Sequence, residues 1–248
     1  MNHLLPIQHH VSLRNLNTFG VDVIAHAYLR LSDPSMLPTL RNDPVLGTLP
    51  RLVLGGGSNI LLTADFPGLV IQMELKGIDV VRQDDAATYL RVAGGENWHQ
   101  FVLWTLAHGY GGLENLSLIP GSVGAAPIQN IGAYGVEVKD FIDSLTVFDF
   151  ASGEVIELSR DACEFAYRDS VFKRELRDRA VILDVTFAIP RAWQPNLRYV
   201  ELVQELQNRA LTAPSAQDIS NAVIAIRQRK LPDPAVIGNA GSFFKNPL

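Results

Sequence analysis

The 248-residue sequence holds one cysteine, Cys163, so no disulfide can form within the chain. One Cys with six scattered His also leaves no Cys-rich zinc site. No apolar run reaches the roughly 18 residues that would cross a bilayer. The N-terminus, Met1-Asn2-His3-Leu4-Leu5-Pro6, lacks the basic-then-apolar order of a secretory signal. Long basic runs are missing too. The longest, Arg227-Gln228-Arg229-Lys230, sits at a helix end, and the net charge of −5 argues against nucleic-acid binding. There is no Gly-Lys pair and hence no P-loop, and no HExxH or Ser-His-Asp spacing. Internal repeats and low-complexity tracts are absent. These absences point to a cytoplasmic protein without membrane insertion or a nucleic-acid partner.

What is present suffices for a packed core: 47% hydrophobic against 19% charged residues, in a length that fits one large domain or two ordinary ones. Short β-like runs come first, at Ala27–Leu31, Arg51–Leu54, Ile60–Leu62, Leu69–Gln72, Ile78–Arg82 and Tyr89–Ala93. Asn97, with Gln100 three residues on, opens a helix whose Trp98, Phe101, Val102, Thr105 and Leu106 share a face, and Gly109 ends it. Residues 109–135 then carry seven glycines and two prolines, a long connection of the kind that serves function. Leu145–Phe150 and Glu154–Leu158 form a hairpin around Ala151-Ser152-Gly153, and Ala180–Ile189 is a long strand. Ser215 with Asp218 opens the strongest helix, which Pro232 stops. The class is α+β.

Four segments can carry chemistry. Gly55-Gly56-Gly57-Ser58-Asn59 follows a strand directly. Its backbone N–H groups can meet a phosphate, or it can be a tight turn. Ile60 stands where a Rossmann fingerprint needs Gly or Ala. Ile119–Gly135 is small and nearly uncharged, which suits a backbone wrapped round a large flat ring, or an ordered structural loop. In Tyr167-Arg168-Asp169-Ser170 a guanidinium fixed by Asp169 can face an anion, unless it is a surface ion pair. Lys230 is an anion ligand or a solvated helix end, and Ser242 an acid or a turn hydroxyl. The histidines suggest no role: His99 and His108 read as half-exposed, His9 and His10 as solvated. Cys163 reads as a small buried side chain.

In order, Asn17-Thr18-Phe19-Gly20, the Gly55–Asn59 run, Ile119–Gly135, Tyr167–Ser170 and Gly241-Ser242-Phe243-Phe244-Lys245-Asn246-Pro247 resemble the UDP-N-acetylenolpyruvoylglucosamine reductases of bacterial cell-wall synthesis. The resemblance runs from about Asn15 to the end. It implies an FAD-binding fold of the PCMH type, with subdomains over 1–76 and 77–231 and a third, substrate-binding domain beginning at 232–248. It implies NADPH reducing the flavin, and the flavin reducing UDP-N-acetylglucosamine enolpyruvate to UDP-N-acetylmuramate, in a monomer. The implied catalytic residues are Arg168 and the proton donor Ser242. The implied FAD contacts are Gly55, Gly56, Gly57, Ser58, Asn59, Pro120, Gly121, Ser122, Gly124, Ala125, Gln129, Asn130, Gly132, Ala133, Tyr134 and Gly135. Substrate contacts fall on Tyr167, Tyr199, Lys230 and Asn246.

The same resemblance leads one to expect roughly another hundred residues, an ordinary domain's worth, with a catalytic glutamate that no residue here matches. The expectation is therefore a flavin reductase by family, or an inactive flavin-binding fragment of one. A related oxidase is disfavoured, because no His or Cys stands in the flavin loop to tether the ring.

Overall fold

The computed structural model describes residues 5–241. The chain begins with β1 (Gln8–Ser12), β2 (Ile24–Leu31), α1 (Met36–Asn42), β3 (Arg51–Leu54) and β4 (Phe66–Met73). These build a four-stranded sheet of order β1-β2-β4-β3, parallel except for β1. Next come β5 (Ile78–Gln83), β6 (Ala87–Ala93), α2 (Trp98–Ala107) and a two-residue hairpin, β7 (Gly132–Ala133) with β8 (Val136–Glu137). Then follow β9 (Ile142–Asp149), β10 (Glu154–Ser159) and β11 (Ala180–Pro190), and two helices, α3 (Val200–Asn208) and α4 (Ala216–Lys230). The second sheet is antiparallel throughout, in the order β10-β9-β11-β6-β5.

Local chemistry explains most boundaries. Asn97 Oδ1 accepts the Gln100 N–H at 3.0 Å and starts α2. Ser215 and Asp218 cap each other's backbone at the start of α4, through bonds of 3.2 and 3.0 Å. Gly153, with φ 81°, turns β9 into β10.

One face of the second sheet packs Leu90, Val92, Leu145, Val147, Val185 and Phe187 against Trp98, Phe101 and Leu116. The first sheet covers the end of its other face: Leu29, Leu31, Leu69 and Ile71 meet Phe148, Phe150, Val181 and Leu183. Alternating residues of β11 serve both cores, and a bulge between Ile182 and Asp184 resets the alternation so that Val185 and Phe187 face the same core as Ile182. The cleft where the layers diverge is where ligands can enter.

The structure departs from the sequence reading in places. Ile60–Leu62 is not a strand. Leu62 instead plugs a small core with Leu13, Val23 and Tyr28, so the apolar run anchors a loop and no ladder forms. Four features were unexpected. β1 is a polar edge strand with no alternation to betray it. α1 carries Pro38 in its first turn, where proline is tolerated. α3 buries only Leu202 and Leu206, and the β7/β8 hairpin lies inside the glycine-rich stretch. Among the described residues no helix is long and apolar enough to cross a membrane.

The two ends of β9 and β11 are tied by charge. Asp149, with its side chain 3% exposed, accepts from Arg179 Nε at 2.7 Å and Nη2 at 2.6 Å, and from the Ala151 N–H at 2.9 Å. The Arg179 guanidinium holds the Asp149 carboxyl well below the usual range. A carboxyl lowered on folding stabilises fully above its unfolded pKa, about 3.9. That contribution drains away as pH falls from there through the lower folded value. Asp149→Asn is expected to lose about 1.5–3 kcal/mol at neutral pH, the worth of a charged hydrogen bond. The gap from wild type should narrow below about pH 4. Urea unfolding at both pH values tests this; coincident midpoints at neutral pH would refute it.

Candidate functional site

Two cavities flank one narrow contact. The contact is backbone against backbone: a Cβ added at Gly56 would lie 2.9 Å from Gly121 Cα. A Cβ at Gly57, whose φ is 61°, would lie 1.9 Å from the Leu16 carbonyl oxygen. Only glycine fits both places. The Asn17–Gly20 turn is pinned to the same spot, since the Thr18 N–H donates to the Gly57 carbonyl at 3.0 Å. Thr18 Oγ1 donates onward to the Asn239 carbonyl at 2.6 Å. This brings residues 238–240 beside the contact.

The smaller cavity, about 410 Å³, opens between the sheets and is lined by Arg51, Gly55, Ser122, Gly124, Ala125 and Phe150 among others. Arg51 Nε is buried there without a hydrogen-bond partner, and its guanidinium carbon sits 4.3 Å from the Phe150 ring centre. An orphaned donor in a cleft is what an acceptor-bearing ligand would satisfy.

The larger cavity is about 1140 Å³. Ser58, Asn59, Pro120, Gln129, Gly132, Ala133, Tyr134 and Gly135 line it, together with Tyr167, Arg168, Tyr199 and Lys230. Of the expected cofactor residues, Gly56, Gly57 and Gly121 instead make the backbone contact itself. Asn130 is fully buried: its Nδ2 donates to the Ala166 carbonyl at 3.0 Å, and its Oδ1 accepts the Lys139 N–H at 3.1 Å. It holds the loop in shape. Ser242 and Asn246 lie outside the described residues.

Arg168 is held differently from expectation. Asp169 pairs with Arg174 rather than with Arg168. The Arg168 guanidinium donates to the carbonyls of Asn130 at 3.0 Å and Gly132 at 2.5 Å. Neutral carbonyls orient the group without cancelling its charge, so the cation stays available to an anion. The price is a left-handed backbone at Arg168, φ 53°. Leu118 (58°), Asn130 (45°) and Tyr134 (49°) share that conformation in the loops around this cavity. Such strain gathers at binding sites.

Lys230 lines the cavity, but its ammonium pairs with Glu201 at 2.6 Å. Tyr199, 42% exposed, stands edge-on to Tyr134 with ring centres 5.1 Å apart. Cys163 is buried, which pushes its thiol up to about 12 and removes it as a nucleophile. Sequence reasoning missed two residues here. His99 lines the cavity on α2, and Arg227 lines it on α4. The available signal for Arg227 was its spacing four residues beyond the buried Val223.

Two sheets meeting over glycine-rich loops, with cavities to either side, define an FAD-binding fold of the PCMH type. Residues 48–159 match the FAD binding domain family. The UDP-N-acetylenolpyruvoylglucosamine reductase of Burkholderia mallei (strain NCTC 10229) is 54% identical over 239 residues, covering 96% of this chain and 69% of the relative. The enzyme of that name from Paraburkholderia phytofirmans is 55% identical over 238 residues, covering 95% and 69%. The crystal structure of UDP-N-acetylenolpyruvylglucosamine reductase (MurB) from Thermus caldophilus superposes with a TM-score of 0.68. It covers 98% of this chain and 76% of that one, at 23% identity, and so speaks for the fold. The chain belongs to the UDP-N-acetylenolpyruvoylglucosamine reductase family.

The purified chain is expected to be yellow, with flavin that acid or heat releases. Gly57→Ala should retain FAD about tenfold less well or worse, because the strain of a left-handed alanine is on the order of 1–3 kcal/mol even before the clash with Leu16. The flavin absorbance per protein measures it. Equal flavin content in the variant would remove the glycine contact from the binding site.

Proposed function

We propose that this chain is a cytoplasmic, monomeric flavoprotein of peptidoglycan precursor synthesis. It reduces UDP-N-acetylglucosamine enolpyruvate to UDP-N-acetylmuramate, with NADPH as the hydride source. Residues 1–76 and 77–231 act as two FAD-binding subdomains, and 232–248 opens a substrate-binding one. The Gly55–Asn59 and Pro120–Gly135 loops would hold FAD, which would supply hydride-transfer chemistry between NADPH and the enolpyruvyl double bond. The chain's residues supply the rest.

The observation that carries this reading is Arg168: a guanidinium oriented by two carbonyls, without a carboxylate partner among the described residues, on the wall of a cavity large enough for both ring systems. Hydride addition to an enolpyruvyl carbon builds enolate charge toward the carboxylate. A fixed cation stabilises that charge as it develops. Ser242 supplies the proton, which requires a positioned hydrogen-bond network because a free serine is a weak acid. Tyr167 and Tyr199 contact the nucleotide sugar, and Lys230 meets its diphosphate once Glu201 yields it.

A second reading, flavin binding without turnover, draws on the catalytic glutamate that the family resemblance implies and that no residue of this sequence matches. Anaerobic mixing separates the two readings. NADPH should bleach the flavin under either. Reoxidation by the enolpyruvyl substrate at an ordinary enzyme's pace, about 10 per second, supports the reductase, whereas a persistent bleach supports the second reading. A flavin that NADPH leaves oxidised sinks the reductase reading. In a chain that turns over, Arg168→Ala should cost about 2–4 kcal/mol in kcat/KM, and a loss within twofold would take Arg168 out of the reaction.

A further inference from the structure

Three histidines meet at the edge of the first sheet, and none of them lines either cavity. His9 and His10 belong to β1 and His26 to β2, and all three are exposed. The strand pairing sets His9 opposite Ala27 and Val11 opposite Ala25, so His10 falls opposite His26. Neighbours in a strand normally point to opposite faces. His10 breaks that alternation, because its backbone is left-handed, φ 54°. Both neighbours consequently reach the same third ring. The centre of the His26 ring lies 6.0 Å from that of His9 and 5.7 Å from that of His10.

One hydrogen bond fixes the state of His9. A carbonyl oxygen only accepts, so His9 Nδ1 donates to the His26 carbonyl, at 3.3 Å. In the neutral ring the lone pair is then on Nε2. A ring anchored by one N–H on a backbone carbonyl, with its other nitrogen free, is how metal-binding histidines are oriented. The spacing agrees. Two imidazoles on one tetrahedral zinc, at roughly 2.0–2.1 Å per bond, have their centres about 5 Å apart. The three rings do not yet converge: among the described residues no three His, Cys, Asp or Glu side chains already surround one point. His10 and His26 are exposed, however, and turn between rotamers with no core to disturb. A donor set of neutral imidazoles suits a late first-row divalent ion, whereas magnesium and calcium call for oxygen.

We propose that His9, His10 and His26 form a surface site for a late first-row divalent cation of the zinc kind, with water completing the coordination. The ion clips β1 to β2. The strand β1 is polar and exposed apart from a half-buried Val11, so a cross-strand clip acts where this sheet is least held by packing. An ion that binds the folded pair of strands and not the unfolded chain stabilises the fold by mass action. No step of the proposed reaction uses these residues.

Calorimetric titration of the full chain with zinc chloride tests this. One site per chain is expected, at micromolar affinity or tighter, and magnesium chloride should give no binding. His26→Ala should weaken zinc at least about tenfold, and so should His9→Gln and His10→Asn, since even the partners of metal ligands are worth that much. Asparagine at position 10 keeps a residue that tolerates the left-handed backbone. His108→Gln, outside the cluster, should change nothing. Saturating zinc should raise Tm in the wild type and leave it unmoved in His26→Ala. Millimolar or weaker binding, or micromolar binding that survives all three substitutions, overturns the proposal. Nitrogen-15 spectra of the wild-type histidines need no variant: zinc should shift His9 Nε2 and leave the proton on Nδ1. Zinc seated on His9 Nδ1, or rings that ignore the metal, would overturn the site outright.

Discussion

The two cavities of this protein are separated by two stretches of backbone lying closer than any side chain would permit. Gly56 and Gly57 let the loop after β3 touch Gly121 on one side and Leu16–Asn17 on the other. A methyl group at either glycine would collide with the facing backbone and force those stretches of chain apart. The contact also sets where peptide N–H groups point, since a loop without side chains can present its backbone to a phosphate from close range. The large cores of the two sheets hold the loops in register, but the sheets alone would leave a gap there.

The fold was legible wherever one residue pattern had one meaning. Alternation and bounding turns located β3, β5, β6 and the β9/β10 hairpin, and capping residues located α2 and α4. Failure came where tertiary contacts overrode local signal. Ile60–Leu62 has the composition of a strand but uses its apolar side chains to anchor a loop in the core around Leu13. Pro38 disguised α1, and β1 owes its existence to β2 rather than to its own polar sequence.

The site was legible as segments and illegible as geometry. Short glycine runs and a charged tripeptide each had a plain structural alternative, and only their order along the chain pointed to a family. Order does not say which partner a charge chooses. Asp169 is adjacent to Arg168 in sequence, yet it pairs with Arg174, because the left-handed turn at Arg168 swings the guanidinium toward the Asn130 and Gly132 carbonyls. Lys230 stands at the cavity but is tethered to Glu201, a residue 29 positions away that no local pattern couples to it. His99 was passed over because its surroundings, not its sequence neighbours, place it at the cavity.

The backbone at position 168 sets fold and chemistry against each other under mutational drift. Glycine would be the most comfortable residue at φ 53°, and asparagine or aspartate the next. A lineage released from the need to handle an anion would be free to drift at this position toward small or turn-forming residues, exchanging the two carbonyl contacts of the guanidinium for a relaxed backbone. Arginine at this position thus couples the shape of the loop to the charge on the cavity wall, so that neither can change without the other.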